Sequence, residues 1–214
     1  MFSLSGGRIK SAPLFFCGNI APDSIHSREN FERAMKKHTH LRDGIVDKDF
    51  QKPENIRLFH HRLSEFVKKY CHKDDGLDEL YLGYVSHLLA DELFIYTVRE
   101  DFVKKAEKIG VSQSDKEFFR LISKDTDSID ARISQEYPFE KNPAETLFAA
   151  SGYEIRDYLT KDELEKSKGW IVYNFFETKR PFETPLYMTY ESVMEYIEKA
   201  AEEILNRLSE MKLI

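Results

Sequence analysis

The sequence predicts an all-α fold, a multi-helix bundle read as a single domain over residues 1–214. Three observations predict it. Apolar residues recur at spacings of three and four through most of the chain, the period of one helix face. No segment alternates apolar and polar residues convincingly enough to pass as a half-buried strand. Gly and Pro are few, 9 and 7, and no low-complexity tract or repeat of roughly 33–34 residues interrupts the pattern.

The elements follow in order. Residues 1–22 begin polar and turn apolar from Pro13 to Ala21. Pro22 disfavours helix at Ala21 and suits a turn or a first helical turn. One helical turn there would bring Asp23 and His26 to one face, unless Asp23 or Ser24 instead caps a helix starting nearby. Asn30–Leu41 reads as a helix ending near Gly44, and it carries His38 and His40. Two residues apart on a helix point to different faces, so at most one of the pair joins a common site. Lys52–Tyr70 is amphipathic, with Ile56, Phe59, Leu63, Phe66, Val67 and Tyr70 on one side. His60 falls on that side, as a hydrogen-bonded core histidine, and His61 off it. Cys71-His72 leads through a polar turn to the central stretch.

That stretch, Leu80–Val98, is the element around which the rest is arranged. Leu77, Leu80, Tyr81, Tyr84, Leu88, Ile95 and Val98 form one apolar stripe, with His87 and Asp91 inside it one turn apart. A core-facing carboxylate without a partner is strongly destabilising. Asp91 therefore requires His87 itself, an arginine from another helix, or a metal ion shared with His87. The helix is expected to run on in charged character to Lys108, with Gly110 ending it. Ser114–Glu136 follows, with Phe118, Leu121, Ile122, Ile129 and Ile133 facing inward, Asp125 within the stripe and Asp130 at its edge. Either carboxylate would reach a metal or an arginine. Pro138–Pro143 breaks the chain, and Thr160-Lys-Asp-Glu163 offers a capping box before Leu164. Trp170, Val172, Tyr173, Phe175 and Phe176 read as a second part of the core or a pocket wall. Tyr190–Leu213 closes the chain as an amphipathic helix.

Composition narrows the function. A net charge of −6 argues against a dedicated nucleic-acid surface. No apolar run approaches the roughly 20 residues that span a bilayer. The apolar run Ala12–Cys17 is too short for a signal-peptide core, and two cysteines give no disulfide framework, so a cytoplasmic location is expected. Three segments offer metal ligands: Asp23 with His26, His38 or His40, and His87 with Asp91. Two histidines and two carboxylates suit zinc, and nitrogen–oxygen ligation also suits manganese or iron. There is no Gly-rich phosphate loop, no Gly-x-Ser-x-Gly elbow and no cysteine nucleophile pattern.

Gly18-Asn-Ile-Ala-Pro-Asp-Ser-Ile-His26, Lys37-His-Thr-His-Leu41 and Gly83-Tyr-Val-Ser-His-Leu-Leu-Ala-Asp91 together resemble the zinc-dependent phospholipase C family, which is related to the S1/P1-type nucleases. The resemblance covers roughly the first half of the chain, as in a divergent bacterial-type member. It implies the phospholipase C/P1 nuclease type of helical bundle, with a site drawn mainly from residues 20–92. It also implies that Asp23, His40, His87 and Asp91 bind one metal. His40 is preferred to His38 because the family's histidine precedes an apolar residue, here Leu41. In that family the counterpart of Asp91 bridges two metals that activate water against a phosphate ester. The family completes a three-metal cluster with further histidines, and this chain has none before His26 or after His87. It would hold one or two ions, with His26, Glu92, Asp125 or Asp130 completing the site, or it has lost the reaction.

The resulting expectation is a metal-dependent hydrolase of a small phosphate ester or phospholipid, with Asp23 and His26 in catalytic roles. One alternative is a metal- or ligand-binding protein that kept the fold without the chemistry. Another is an HD-type phosphohydrolase, which fits less well because the chain has no adjacent His-Asp dipeptide.

Overall fold

The computed structural model describes residues 1–214 and contains helices but no strand, only an isolated antiparallel bridge between Ile155 and Leu159. Nine α-helices follow one another: α1 (Ala12–Ile20), α2 (Arg33–Thr39), α3 (Pro53–Tyr70), α4 (Asp78–Tyr96), α5 (Val98–Lys108), α6 (Lys116–Glu136), α7 (Pro143–Phe148), α8 (Lys161–Ile171) and α9 (Tyr190–Glu210). A 3₁₀ segment, Ala21–Ser27, prolongs α1, and a π-helical turn, Val172–Glu177, prolongs α8. No helix is long and apolar enough to cross a membrane.

Local chemistry starts these helices where the sequence signals them. Ser11 caps α1 by accepting from the Leu14 N–H, with Pro13 in the first turn. The capping box expected at Thr160 forms: its hydroxyl accepts from the Glu163 N–H, and Glu163 accepts from the Thr160 N–H. Helix α2 starts later than periodicity suggests, at Arg33, because Asn30 takes a left-handed conformation (φ 55°).

Two expectations about the central helix are corrected. Residues Leu80–Ser86, Leu88 and Leu89 are all buried, which places apolar contacts right around α4 rather than along one stripe. His87 and Asp91 fall on the remaining side, where they are only partly covered. Nor does the helix continue to Lys108. Thr97 turns out of helical geometry (φ −121°, ψ −94°), ending α4 and letting α5 begin at Val98 in a new direction.

Helix α4 packs most extensively on α1, and the two backbones meet at Gly18 and Gly83. A Cβ on Gly18 would overlap the Leu80 carbonyl, and one on Gly83 would overlap that of Phe15. The main apolar core surrounds this crossing and includes Phe15, Phe59, Phe66, Tyr84 and Leu88. A smaller core, with Phe102, Phe118, Leu121 and Ile129, joins α5, α6 and the approach to α9.

Two carboxylates proposed for the site, Asp125 and Glu92, do other work, and a third, Asp130, is exposed. Asp125 is buried and accepts the N–H groups of Leu186, Tyr187 and Met188 at 2.8, 2.7 and 2.9 Å, fixing the loop before α9. Buried Glu92 takes His60 Nε2 at 2.8 Å and Arg207 Nη1 at 2.9 Å, tying α3 and α9 to α4. Asp130 lies on the exposed side of α6. His60 is hydrogen-bonded as expected, but its ring is exposed rather than in the core. The aromatic cluster after α8 is also corrected: Trp170 and Tyr173 are 58% and 61% exposed, and only Val172 is buried.

The glycine crossing yields a signed prediction. Gly83→Ala would gain ~1 kcal/mol in helix propensity, yet the two helices must separate to admit the methyl. A net destabilisation of about 2–3 kcal/mol is expected. Gly169→Ala in α8, where a methyl meets nothing, would instead stabilise by up to about 1 kcal/mol. Urea unfolding of both variants checks the pair of signs.

Candidate metal centre

Three short stretches of backbone place the centre. The 3₁₀ segment follows α1 without a break, with Pro22 in its first turn and Ser24 Oγ donating to the Ile20 carbonyl at 2.9 Å. Its buried side, Ala21, Pro22, Ser24 and Ile25, leaves Asp23 facing outward along α4. Arg28 ends the segment by donating to Glu163 at 2.5 and 3.0 Å and to the Tyr158 carbonyl at 3.0 Å, which locks it to α8.

His40 caps α2. Its Nδ1–H donates to the Lys36 carbonyl at 2.8 Å, and neighbouring Thr39 donates to the Pro22 carbonyl at 2.8 Å. Tyr84 of α4 donates to the Thr39 carbonyl, so one hydroxyl pins the end of α2 against the central helix. His87 projects from α4, and its Nδ1–H donates to the Asn19 carbonyl at 2.7 Å. The glycine crossing next to Asn19 makes that reach possible.

These carbonyl contacts fix the tautomers. A carbonyl oxygen only accepts, so each Nδ1 carries the hydrogen and each neutral ring presents its Nε2 lone pair. The two Nε2 atoms face each other at 3.3 Å. Around them stand Asp23 Oδ1 and Asp91 Oδ2, 3.4 and 3.6 Å from His40 Nε2. Asp23 Oδ2 and Asp91 Oδ1 each lie 4.0 Å from His87 Nε2. Lys36 at 2.6 Å from Asp23 and Arg42 at 3.3 Å from Asp91 offset the carboxylates from outside, while the two facing lone pairs repel unless a ring proton or a metal ion lies between them.

The spacing fits a metal. Ligands ~2.0–2.1 Å from a tetrahedral zinc stand roughly 3.3–3.4 Å apart. Asp23, His40 and His87 offer atoms all within 4.8 Å of one another. Asp91 approaches both rings but stands outside that mutual group, because Arg42 Nη2 draws its Oδ2 to 3.3 Å. Asp23 Oδ1 is buried and accepts no aligned hydrogen bond, although the Lys36 ammonium pairs with it at 2.6 Å. Burial pushes the His87 imidazole below its usual value against the pull of Asp91 and Asp23, which favours the neutral, ligating form. Burial pushes Asp91 up, but His87, Arg42 and His40 outweigh it and hold the carboxyl ionised below its usual range.

The other predicted residues stay outside. His26 lies 3.9 Å from Asp23, half-exposed, with its ring against Phe31. His38 points away, hydrogen-bonded to Asp43 and the Asp157 carbonyl and stacked on Tyr158. Glu92, Asp125 and Asp130 are committed or turned elsewhere. Sequence reading missed a cleft of about 260 Å³ beside the centre, which His40 and Asp91 share with Arg33, Arg42, Arg99 and Phe119. The only sequence signal for it was the basic character of α2.

No family model, curated protein or solved structure matches this chain. The likeness to zinc-dependent phospholipases C thus rests on the three quoted motifs, and the site must be judged by its own geometry.

Two outcomes follow. After reconstitution with zinc, the wild type and His38→Ala are expected to bind the ion and His40→Ala and His87→Ala to bind none, as measured by plasma emission spectrometry. The Arg28–Glu163 lock gives a pH dependence. Burial raises the Glu163 carboxyl, but the Arg28 hydrogen bond and the Thr160 N–H outweigh it, leaving it below its usual value. Its contribution is therefore full above the unfolded value near ~4.3 and is lost as pH falls through the folded one. Glu163→Gln would cost about 1–2 kcal/mol at neutral pH. In thermal unfolding at a series of pH values, the gap from wild type would close below about pH 4.

Proposed function

We propose that this protein is a metal-dependent hydrolase of phosphate esters. The observation that carries the reading is the pair of imidazole Nε2 atoms, each with its tautomer fixed by a carbonyl, facing each other between two carboxylates at the edge of a cation-lined cleft. Asp23, His40 and His87 would hold one divalent ion, zinc by donor set, with manganese or iron as alternatives. Asp91 would be the fourth ligand, or would orient a water through its free oxygen. When bound, such an ion lowers the pKa of water and neutralises charge on phosphoryl oxygens.

The chain's own groups supply the rest. Lys36 and Arg42 border the centre and would pair with non-bridging phosphoryl oxygens. His26, next to Asp23 and reachable from solvent, would hold or move a proton at Asp23's outer side. The fold alone does not specify this chemistry. A second reading, a metal-binding protein without turnover, draws on the same geometry: the carboxylates available for a second ion are otherwise engaged.

The test is a screen of phosphate mono- and diesters with protein loaded with zinc, manganese or iron. Turnover that disappears in His87→Ala supports the hydrolase. Stoichiometric metal with no turnover of any ester favours the second reading, and no metal at all removes both. In an active protein, His26→Gln would keep its metal and lose about 10²-fold in kcat.

A further inference from the structure

Five cations line the cleft beside the metal centre, Arg33, Lys36, Lys37, Arg42 and Arg99, against two carboxylates, Asp47 and Asp91. The chain as a whole carries −6, so this is a local reversal of charge. Four of the five cations have partners. Arg33 pairs with Asp47 at 2.5 Å and Lys36 with Asp23 at 2.6 Å. Lys37 donates to the Ile45 carbonyl at 2.8 Å, and Arg42 reaches Asp91 at 3.3 Å while its guanidinium lies over the Phe50 ring.

Arg99 is the exception. It makes no hydrogen bond and no ion pair, and its guanidinium only borders the Phe118 ring at 5.7 Å. It is half-buried in the cleft wall at the start of α5, where Thr97 redirects the chain. Burial, joined by the like charges of Arg42 and Arg33, lowers its pKa despite Asp47 and Asp91. The Arg99 nitrogens are not buried, so an anion entering the cleft can reach them, and the positive field of the neighbouring Arg33 and Arg42 favours one there. Phe94, Ile95, Phe119 and Ile122 give the cleft an apolar part as well.

We infer that the cleft takes a compact phosphate ester whose apolar body carries a second anionic group, a phosphate or carboxylate, bound by Arg99. The inference rests on the proposed hydrolase for the ester at the metal end, whereas the anion site at Arg99 stands on its own geometry. Arg42, paired to Asp91, lines the same cleft as Arg99. The scissile phosphate would sit toward His40 and Asp91, the body against Phe94 and Phe119, and the second anion in a bidentate contact with Arg99.

The test compares phenyl phosphate with 4-carboxyphenyl phosphate, which differ by one carboxylate. Affinity is measured by calorimetry and turnover by phosphate release, on wild type, Arg99→Met and Arg99→Lys. The wild type should bind the carboxylated ester at least about ten-fold more tightly. Arg99→Met should abolish that preference while keeping its affinity for phenyl phosphate, and Arg99→Lys should retain part of it. Equal wild-type affinities, or a preference undiminished in a folded Arg99→Met, would overturn the inference. Should Arg99→Met fail to fold, the wild-type ratio and its decline with added salt decide alone. The two readings separate cleanly. Preferential binding without turnover retains the anion site and removes the hydrolase, and turnover of both esters without preference does the reverse.

Discussion

The approach of α1 to α4 at Gly18 and Gly83 is the constraint on which the rest depends. Without Cβ atoms the two backbones come close enough that each glycine's missing methyl is replaced by a carbonyl of the other helix. Two consequences reach the site. The Asn19 carbonyl comes within 2.7 Å of His87 Nδ1 and sets which nitrogen of that ring is free. The end of α1 is also fixed along α4, so the 3₁₀ segment that follows at once presents Asp23 to the same point. One close packing thus aligns candidate ligands 64 residues apart in the chain, from Asp23 to His87.

The third candidate ligand, His40, arrives differently. Helix α2 is short and makes little core of its own, with Thr39 its only buried residue. Its last turn is held by hydrogen bonds: Thr39 to the Pro22 carbonyl, Tyr84 to the Thr39 carbonyl, and His40 to the Lys36 carbonyl. Main-chain oxygens therefore orient both imidazoles, as outer partners orient ligands in metal sites generally. The ring of His40 is only 2% exposed, whereas the side chains of Asp23 and Asp91 are 45% and 37% exposed. The imidazoles are therefore more deeply covered than the carboxylates, and the centre meets the cleft at His40 and Asp91.

Much of this was legible in the sequence, and the rest was hidden for identifiable reasons. The helical class followed from periodicity, and the capping box at Thr160 from residue type. His87 and Asp91 stood out because polar residues interrupted an apolar helix. Periodicity misplaced them on the core side, since a helix that is apolar all round has no distinguishable stripe. It also ran α4 into α5, because nothing in Thr97-Val98 announces a break. Asp125 and Glu92 looked like spare ligands, since a sequence does not display the N–H groups and cations that satisfy them. Arg99 was invisible as a site residue. What singles it out is the lack of a partner in space, and spacing along the chain does not encode that.

The engaged carboxylates and the unengaged arginine point to one electrostatic logic. A cluster of several ions needs bridging carboxylates, and here Glu92 is bound by His60 and Arg207 while Asp125 is bound by three main-chain N–H groups. Asp91 has one oxygen drawn to Arg42. In the proposed hydrolase, positive charge for the phosphoryl group would come from Lys36 and Arg42 in the cleft, with Arg99 left for the second anion. Guanidinium groups suit that task because they present paired donors to a phosphate's oxygens and remain charged when partly buried. In the proposed hydrolase, a single ion and an arginine-lined cleft would do together what a multi-ion cluster does elsewhere. The proportion of metal to guanidinium then follows from where this chain spends its carboxylates: on fastening its helices.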